Sequence, residues 1–526
     1  MRTAHGSTAR AGFAGFALER GQPIGDQIVG RLMAAIRSGA VEPGSRLPSI
    51  RALAEQLGVN RNTVAHAFRE LAEKGYVETR FGGGSIAARP APTLPAASPA
   101  QVPAGAAPAQ AGAPLSEREW ERRFARHLNG YLSPVTPPLF PTGAPRPINL
   151  FQMRPDTGLF PLEAFRRCLN TVLRRGGRHL LNYGSPAGYL PLREQIARRL
   201  RQQHIDADPS QVLIVTGSQQ GIDLLARAFV DAGDRVVVES PMYSIALKIF
   251  SVNGARLHPY AVGPEGVDLR PLEQLHPHEA PKLFYAVPNF QNPTTHSYTL
   301  EEKAALLGHA YRLDSLVIED ASDAELHGEP QRWPALAALD RTGRVIHLNT
   351  FSKTLVPAVR VGWLCAPTPL VRRLTELKEM TDLSQSLILQ AAIAEFMERG
   401  IFDEHVARLR TAYRTRMERV LELLERALPR EVSFTRPDGG LCVWVDLPAH
   451  VDVQRLFEQT RRRGVLVSPG SLYQPLASGR NGIRLCVAAE PEERLAEAFA
   501  ILGRELEEVL RSPPPAPAEQ EYQSMH

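Results

Sequence analysis

The chain has 526 residues, 43% of them hydrophobic and 22% charged, which exceeds one ordinary domain and supplies large apolar cores, so a disordered chain and a disulfide-stapled miniature are both excluded. The four cysteines, Cys168, Cys365, Cys442 and Cys486, make no C-x-x-C pair, no run approaches the roughly 18 apolar residues of a membrane span, and the opening MRTAHGSTARAG lacks the apolar heart of a signal peptide; a cytoplasmic protein with no metal site and no membrane partner is expected. The net charge of +5 is concentrated in residues 1–89, with twelve Lys and Arg against seven Asp and Glu, while the remainder holds forty-nine of each, so an anionic partner is to be sought at that end.

Residues 1–22 read as a loose tail. Ile28, Val29, Leu32, Met33 and Ile36 then mark a helical stripe that Gly39 stops. Ile50, Leu53, Ala54 and Leu57 mark a second, stopped by Gly58, and Val64, Phe68 and Leu71 a third, stopped by Gly75; apolar positions three and four apart predict helices. GYVETRFGGGSIAA alternates like a hairpin with glycines at its tip. Three helices and a small wing over residues 23–89 predict a winged helix-turn-helix. The turn LGVNR separates the second and third helices, and Asn60 or Asn62 is placed to cap the third. Arg61, Asn62, Thr63 and His66, near its amino end, are candidate base readers. Arg46, Ser49 and Arg51 surround the start of the second helix and are candidates for phosphate contact. Gly83, at the wing tip, lets the backbone come close to a groove.

Residues 90–114, PAPTLPAASPAQVPAGAAPAQAGAP, carry no charge and no aromatic, so they bury too little to order themselves and read as a linker. As a coil it spans roughly 30 Å, and as polyproline about 75 Å. From 115 to 511 the runs VLIV, RVVVES, KLFYAV, SLVIED, RVIHLN and VGWLCA alternate with helical stretches. Continuous Val, Ile and Leu runs predict strands buried on both faces, hence a mostly parallel sheet in an α/β domain. From about Leu370 long amphipathic helices take over. EVSFTRPDGGLCVWVDLP and GIRLCVAAE predict a smaller α+β lobe from about 400 to 511, and 512–526 reads as a second tail.

In open α/β sheets ligands gather beyond the carboxyl ends of the strands. VLIV runs into Thr216, Gly217, Ser218, Gln219 and Gln220 and then a helix, whose free backbone N–H groups suit an anion. SLVIE runs into Asp320, and RVIHLN into Thr350, Ser352 and Lys353, with Arg360 beyond. A phosphate cradle, a carboxylate and an amine able to form an imine are what pyridoxal 5'-phosphate requires.

Two resemblances rest on these residues. EPGSRLPSIRALAEQLGVNRNTVAHAFRELAEKGY with GGGSI resembles the GntR family of winged-helix regulators, which implies a domain that binds double-stranded operator DNA as a pair. Asn149 to Arg504 resembles fold-type I aminotransferases. In that likeness Lys353 of TFSKT forms the Schiff base, Asp320 pairs with the pyridine nitrogen, Asn292 of QNPTT donates to the ring's 3-oxygen, and Tyr243 of ESPMYSIA stacks on the ring. Ser218, Gln219, Ser352 and Arg360 hold the phosphate with Tyr183 of NYGSPAGYLPLRE, which reaches over from the other subunit. Arg484 of IRLCVAA grips a substrate carboxylate, and MRPDTGLFP resembles the segment at the mouth of the active site. The family commonly reads E-D-D-Y-D where this chain has Glu319-Asp320-Ala321-Ser322-Asp323, so a tyrosine that tunes the 3-oxygen is replaced by Ser322, which is too short to take its place directly.

The order of reader, linker and aminotransferase-like domain resembles the MocR subfamily of regulators. It implies a head-to-tail homodimer in which a small amine, an amino acid or a vitamin B6 form acts at Lys353 and changes DNA binding. Two alternatives compete: a working aminotransferase that carries a DNA-binding domain, and a repressor whose large domain is a scaffold without cofactor.

Overall fold

The computed structural model of the chain describes residues 24–80, 84–88, 116, 119–120, 122–125, 146–327, 333–437, 439–475 and 479–511. The expected tails and linker, and Gly83, lie outside the described residues. The chain divides into two compact units, Met1–Glu117 and Arg118–His526.

The first unit contains helices α1 (Ile24–Arg37), α2 (Ile50–Leu57) and α3 (Arg61–Glu73), then an antiparallel pair, β1 (Val77–Arg80) and β2 (Gly84–Ala87). Ile28, Leu32, Leu53, Val64, Phe68 and Leu71 meet in one core, which holds α3 against both other helices. α2 starts at Ser49, whose hydroxyl accepts the Ala52 N–H, and stops at Gly58 with φ +63°, a left-handed position that glycine takes without steric cost. α3 starts at Asn60, whose side-chain oxygen accepts the Asn62 N–H at 2.9 Å. Asn60 is therefore the cap, and Asn62 is left free in the first turn.

The second unit is built, among the described residues, on fourteen strands: β3 (Ile148–Asn149), β4 (Val212–Val215), β5 (Arg235–Ser240), β6 (Arg256–Gly263), β7 (Gly266–Asp268), β8 (Leu283–Ala286), β9 (Leu316–Asp320), β10 (Val345–Thr350), β11 (Gly362–Cys365), β12 (Ser433–Phe434), β13 (Cys442–Asp446), β14 (Val465–Leu466), β15 (Ser468–Pro469) and β16 (Gly482–Cys486). Eight of them form one sheet in the order β4-β11-β10-β9-β8-β5-β6-β7. β5, β6, β8, β9 and β10 pair in parallel, whereas β11 runs against both its neighbours and β7 against β6. β4, β8, β10 and β11 are buried at every residue, as unbroken apolar runs demand when both faces are covered. β6 and β7 extend the sheet where the sequence reading placed no strand, because RLHPYAVG mixes polar and apolar residues around Pro259.

Helices Thr368–Asp382, Leu387–Glu398 and Ile401–Ala427 follow. The smaller lobe carries an antiparallel sheet, β12-β13-β16-β15, backed by Glu492–Arg511. Its core also takes Ile148 and Leu150, because β3 pairs in parallel with β14. A two-residue strand has no periodicity to read.

The reversal of β11 positions the site. The parallel strands end at one edge with Val215, Ser240, Ala286, Asp320 and Thr350, and β11 begins there, with Gly362 opposite both Thr350 and Val215. Everything just before β11 is thus returned to the edge where the other strands finish.

In the first unit, Asn60→Ala should cost about 1 kcal/mol of helix stability. Amide exchange across Asn62–Glu73 in the full-length chain should then quicken about fivefold; unchanged exchange would show that this cap does not hold the helix.

Candidate functional site

On the first unit, Arg61, Asn62 and His66 are exposed and Thr63 is half-buried, while Val64, Ala67 and Phe68 are turned into the core. One face of α3 is therefore spent on packing and the other is free for a groove, the division expected of a 3.6-residue period. Arg69 is exposed on the same helix, although its place in a helical interior gave the sequence no reason to select it. Arg46 and Arg51 are exposed as well, Arg51 holding an ion pair with Glu55 at 3.1 Å, a surface contact of small strength. Ser49 uses its hydroxyl oxygen as the α2 cap.

On the second unit, a cavity of about 450 Å3 opens at the strand edge and is lined by Met153, Ser218, Tyr243, Asn292, Asp320, Ser322, Asp323, Lys353, Tyr473 and Arg484, among others. Lys353 stands on the short helix Phe351–Thr354 that immediately follows β10. Its Nζ donates to the Met153 carbonyl at 2.7 Å and makes no ion pair among the described residues.

Asp320 ends β9 and is 4% exposed. Its carboxylate accepts from the Tyr285 hydroxyl at 2.8 Å and from the hydroxyl and N–H of Ser322. Burial pushes its pKa up, against the pull of these donors and of the Lys353 charge. The Ser322 oxygen also lies 3.4 Å from the Ser218 hydroxyl, whose proton it is free to accept. It does not stand in for a tyrosine, yet it fixes the acid.

Arg484 is 6% exposed on β16. It donates to Asn292 Oδ1 at 2.9 Å and to the Phe151 carbonyl at 2.7 Å, lies over the Tyr473 ring at 5.1 Å, and has an unpartnered Nε. Its acceptors are all neutral, so a buried cation retains its demand for an anion. Asn292 Nδ2 has only the Met153 sulfur, at 3.5 Å, a weak acceptor. The Tyr243 phenol is pushed up by burial and then by the Asp320 charge, so it stays neutral.

Other selected residues stand apart from the cavity lining. Arg360 precedes β11 and donates to the Thr216 carbonyl at 3.0 Å. It crosses Gly217, φ +73°, so closely that a Cβ there would stand 2.9 Å from its guanidinium. Ser352 is buried and its hydroxyl accepts from Thr350 at 3.0 Å. Gln219 is exposed in the first turn of the helix Gly217–Phe229, and Tyr183 is 79% exposed. Sequence reasoning missed Tyr285, Tyr473 and Asp323. Asp323 is 4% exposed with one carboxylate oxygen unpartnered, and burial pushes it up to about 6.

The described residues fit pyridoxal phosphate. A helix amino end beside Arg360, with no room for a side chain at Gly217, makes an anion cradle. A buried carboxylate and an amine face one space of ligand size.

Residues 152–502 match the family of class I and II aminotransferases, and residues 24–86 match the gntR family of bacterial regulatory proteins. The probable rhizopine catabolism regulatory protein MocR of Rhizobium meliloti is 31% identical over 448 residues, covering 85% of this chain and 86% of that protein. The chain belongs to the MocR subfamily of GntR-type regulators. Its large unit is an aminotransferase domain of fold type I: the 2-aminoadipate transaminase of Thermus thermophilus is 35% identical over 359 residues, 68% of this chain and 89% of that enzyme. The crystal structure of LysN, the α-aminoadipate aminotransferase of Thermus thermophilus, bound to N-(5'-phosphopyridoxyl)-L-leucine, aligns with TM-score 0.69 at 32% identity over 75% of this chain and 99% of that one. The protein is thus a transcriptional regulator with a DNA-binding domain, and pyridoxal phosphate is the cofactor of its large domain. No described helix is long and apolar enough to cross a membrane.

Because Asp323 titrates near 6 when folded and near 3.9 when unfolded, the folded state binds its proton more tightly, and stability falls as pH rises through that window. Asp323→Asn should therefore raise Tm, relative to the parent, more at about pH 7.5 than at about pH 4.5. Thermal scans at both values check this, and an equal shift would contradict it.

Proposed function

We propose that this regulator senses a small amino compound, an amino acid or a vitamin B6 form, at the Lys353 cavity and changes its hold on operator DNA in response. The observation that carries this reading is the meeting of Lys353, Asp320, Asn292 and Arg484 in one cavity on a chain with a GntR reader. The reader, taken as residues 23–89, the linker, 90–114, and the large domain, 115–511, act as separate parts.

Pyridoxal phosphate, when bound, supplies a carbonyl that condenses reversibly with primary amines. Lys353 is the chain's own amine for that bond. Asp320 holds the proton on the pyridine nitrogen, and Ser322 and Tyr285, by donating to its carboxylate, fix where that charge sits. Asn292 turns its amide N–H to the ring oxygen, and Tyr243 covers the ring. Ser218, Ser352, Arg360 and the helix amino end that bears Gln219 would hold the phosphate, with Tyr183 contributed by a second subunit in a head-to-tail homodimer. Arg484 receives the effector's carboxylate, for which a guanidinium offers a two-pronged fork. An effector that occupies Arg484 and takes the place of Lys353 binds one arrangement of the large domain better than another, and only that difference in affinity can move an equilibrium. The paired readers are thereby set well or badly on two half-sites. Arg46, Ser49, Arg51 and the Gly83 wing meet phosphate and backbone, and Arg61, Asn62, Thr63 and His66 meet base edges.

The 35% identity to a transaminase favours a second reading, in which Lys353 moves the proton of a complete amino-group transfer. A protein without cofactor would be a scaffold only.

The purified protein should carry a visible absorption band of bound cofactor that Lys353→Ala abolishes. With amino acids and a keto acid it should turn over less than once per minute, well below the usual 1–1,000 per second. Sustained turnover in the usual range would establish the transaminase, and a colourless protein that takes up no cofactor would establish the scaffold. In the reader, Arg51→Ala and Arg61→Ala should each weaken operator binding, and the log–log salt slope should become shallower by about one for every phosphate that the variant no longer neutralises. Titrations at several salt concentrations decide this; affinity and slope unchanged in both variants would move the DNA surface elsewhere.

A further inference from the structure

Within the large unit a second cavity lies beside β10 and the turn that follows Asp320. It measures about 200 Å3 and is lined by Gln203, Asn289, Trp333, His347, Asn349 and Arg410, among others. That is room for several waters or one compact organic molecule.

Its polarity follows from strand alternation. Glu319 points to the face opposite its neighbour Asp320, and the parallel register sets His347 beside it. Nδ1 of His347 meets Glu319 Oε2 at 2.9 Å, and Glu319 also accepts the N–H groups of Leu336 and Ala337. Burial alone would push Glu319 up, but the hydrogen bond and charge of His347, with those two amides, hold it below the usual carboxylate value. Glu319 is therefore ionised, and the proton of His347 facing it sits on Nδ1. Nε2 of the same ring is buried and has no partner among the described residues, and a buried polar atom left unmatched costs about 1–3 kcal/mol.

Arg410 is the lining cation that no carboxylate oxygen meets directly among the described residues, although the charges of Glu325, which also lines the space, and Asp403 act on it. Glu325 spends both its oxygens on Arg199, at 2.8 and 2.7 Å. Arg410 donates its Nε to the Glu325 carbonyl at 2.7 Å and makes no ion pair among the described residues. Behind Asn289, the fully buried Lys303 donates to Asn289 Oδ1 and to the Pro334 carbonyl, both at 2.8 Å. Burial lowers its pKa to about 8, against the pull of Glu319.

We propose that this cavity is a second ligand site, which takes a small carboxylate whose anion meets Arg410 and whose remaining polar group meets the polar side chains that line the space, Gln203 among them. The site is independent of the Lys353 sensing reading. It adjoins the cofactor cavity without sharing a lining residue. Asn349 stands directly before the segment Thr350–Lys353, and Ala324 directly after Asp323, so an occupant bears on the cofactor side through the backbone they share.

Calorimetric titration of the full-length, cofactor-loaded protein with glycolate, malonate and L-malate tests this. At least one probe should bind saturably with Kd near 1 mM or tighter, about −4 kcal/mol. Arg410→Gln should weaken that binding by about tenfold, or 1.4 kcal/mol, while Arg410→Lys, which keeps the charge, should recover part of it. Arg484→Gln should leave the Arg410-dependent binding unchanged, which separates this site from any binding of the same probes in the cofactor cavity. Three results would overturn the proposal: none of the probes binds, affinity survives Arg410→Gln in a folded protein, or affinity is lost with Arg484→Gln instead. A visible cofactor band equal to the parent's serves as the check that each Arg410 variant is folded.

Discussion

Charges held largely out of water, with no direct ion pair to another group of the chain among the described residues, govern the large domain. Asp320 is satisfied by hydroxyl and amide donors, Lys353 by a carbonyl, and Arg484 by an amide oxygen and a carbonyl. Neutral partners let Asp320 and Arg484 be buried and Lys353 be half-buried, since the cost of an unmatched polar group is avoided, yet they leave the charges unspent. Three unspent charges of both signs around one cavity describe what belongs there: a cationic ring nitrogen, a carbonyl and a carboxylate. Had the chain paired Asp320 with Arg484 directly, it would have gained a buried ion pair and lost the site.

The sheet makes this possible through one reversed strand. With β11 antiparallel between β4 and β10, the loop that carries Arg360 returns to the helix amino end after β4, while Lys353 leaves β10 beside it. Close passage at Gly217 is the geometric cost of bringing a guanidinium that near to the backbone, and it leaves no room for a side chain there.

Much of this was legible beforehand. Every unbroken apolar run became a strand of the large sheet, because burial on both faces removes the polar alternation that would otherwise blur it. Lys353, Asp320, Asn292, Tyr243, Ser218 and Arg484 could be selected because each follows or ends a strand, or sits in a motif, and the fold gathers them. Tyr285 was hidden: it lies inside an apolar run and reads as core, and only the register with β9, which sets it beside Ile318, lets its hydroxyl reach Asp320 two residues further on. Ser322 reads as a loss when compared with a tyrosine, and its bond to Asp320 exists only in three dimensions. The strands β3 and β14 are too short for any pattern, and β6 is too mixed. In the reader, helix periodicity selected the core, whereas the choice of Asn60 over Asn62 as cap required the backbone.

Coupling between the cavity and DNA is the central claim, and operator affinity is its most direct measure. Fluorescence anisotropy of an operator duplex should be followed with the cofactor-loaded protein and with Lys353→Ala, each titrated with a panel of amino acids. The account predicts that at least one amino acid changes the operator Kd of the parent by fivefold or more, a coupling of about 1 kcal/mol, and leaves that of Lys353→Ala unchanged. An equal response in both proteins, or a parent that binds its amino acid with no change in operator affinity, would contradict it.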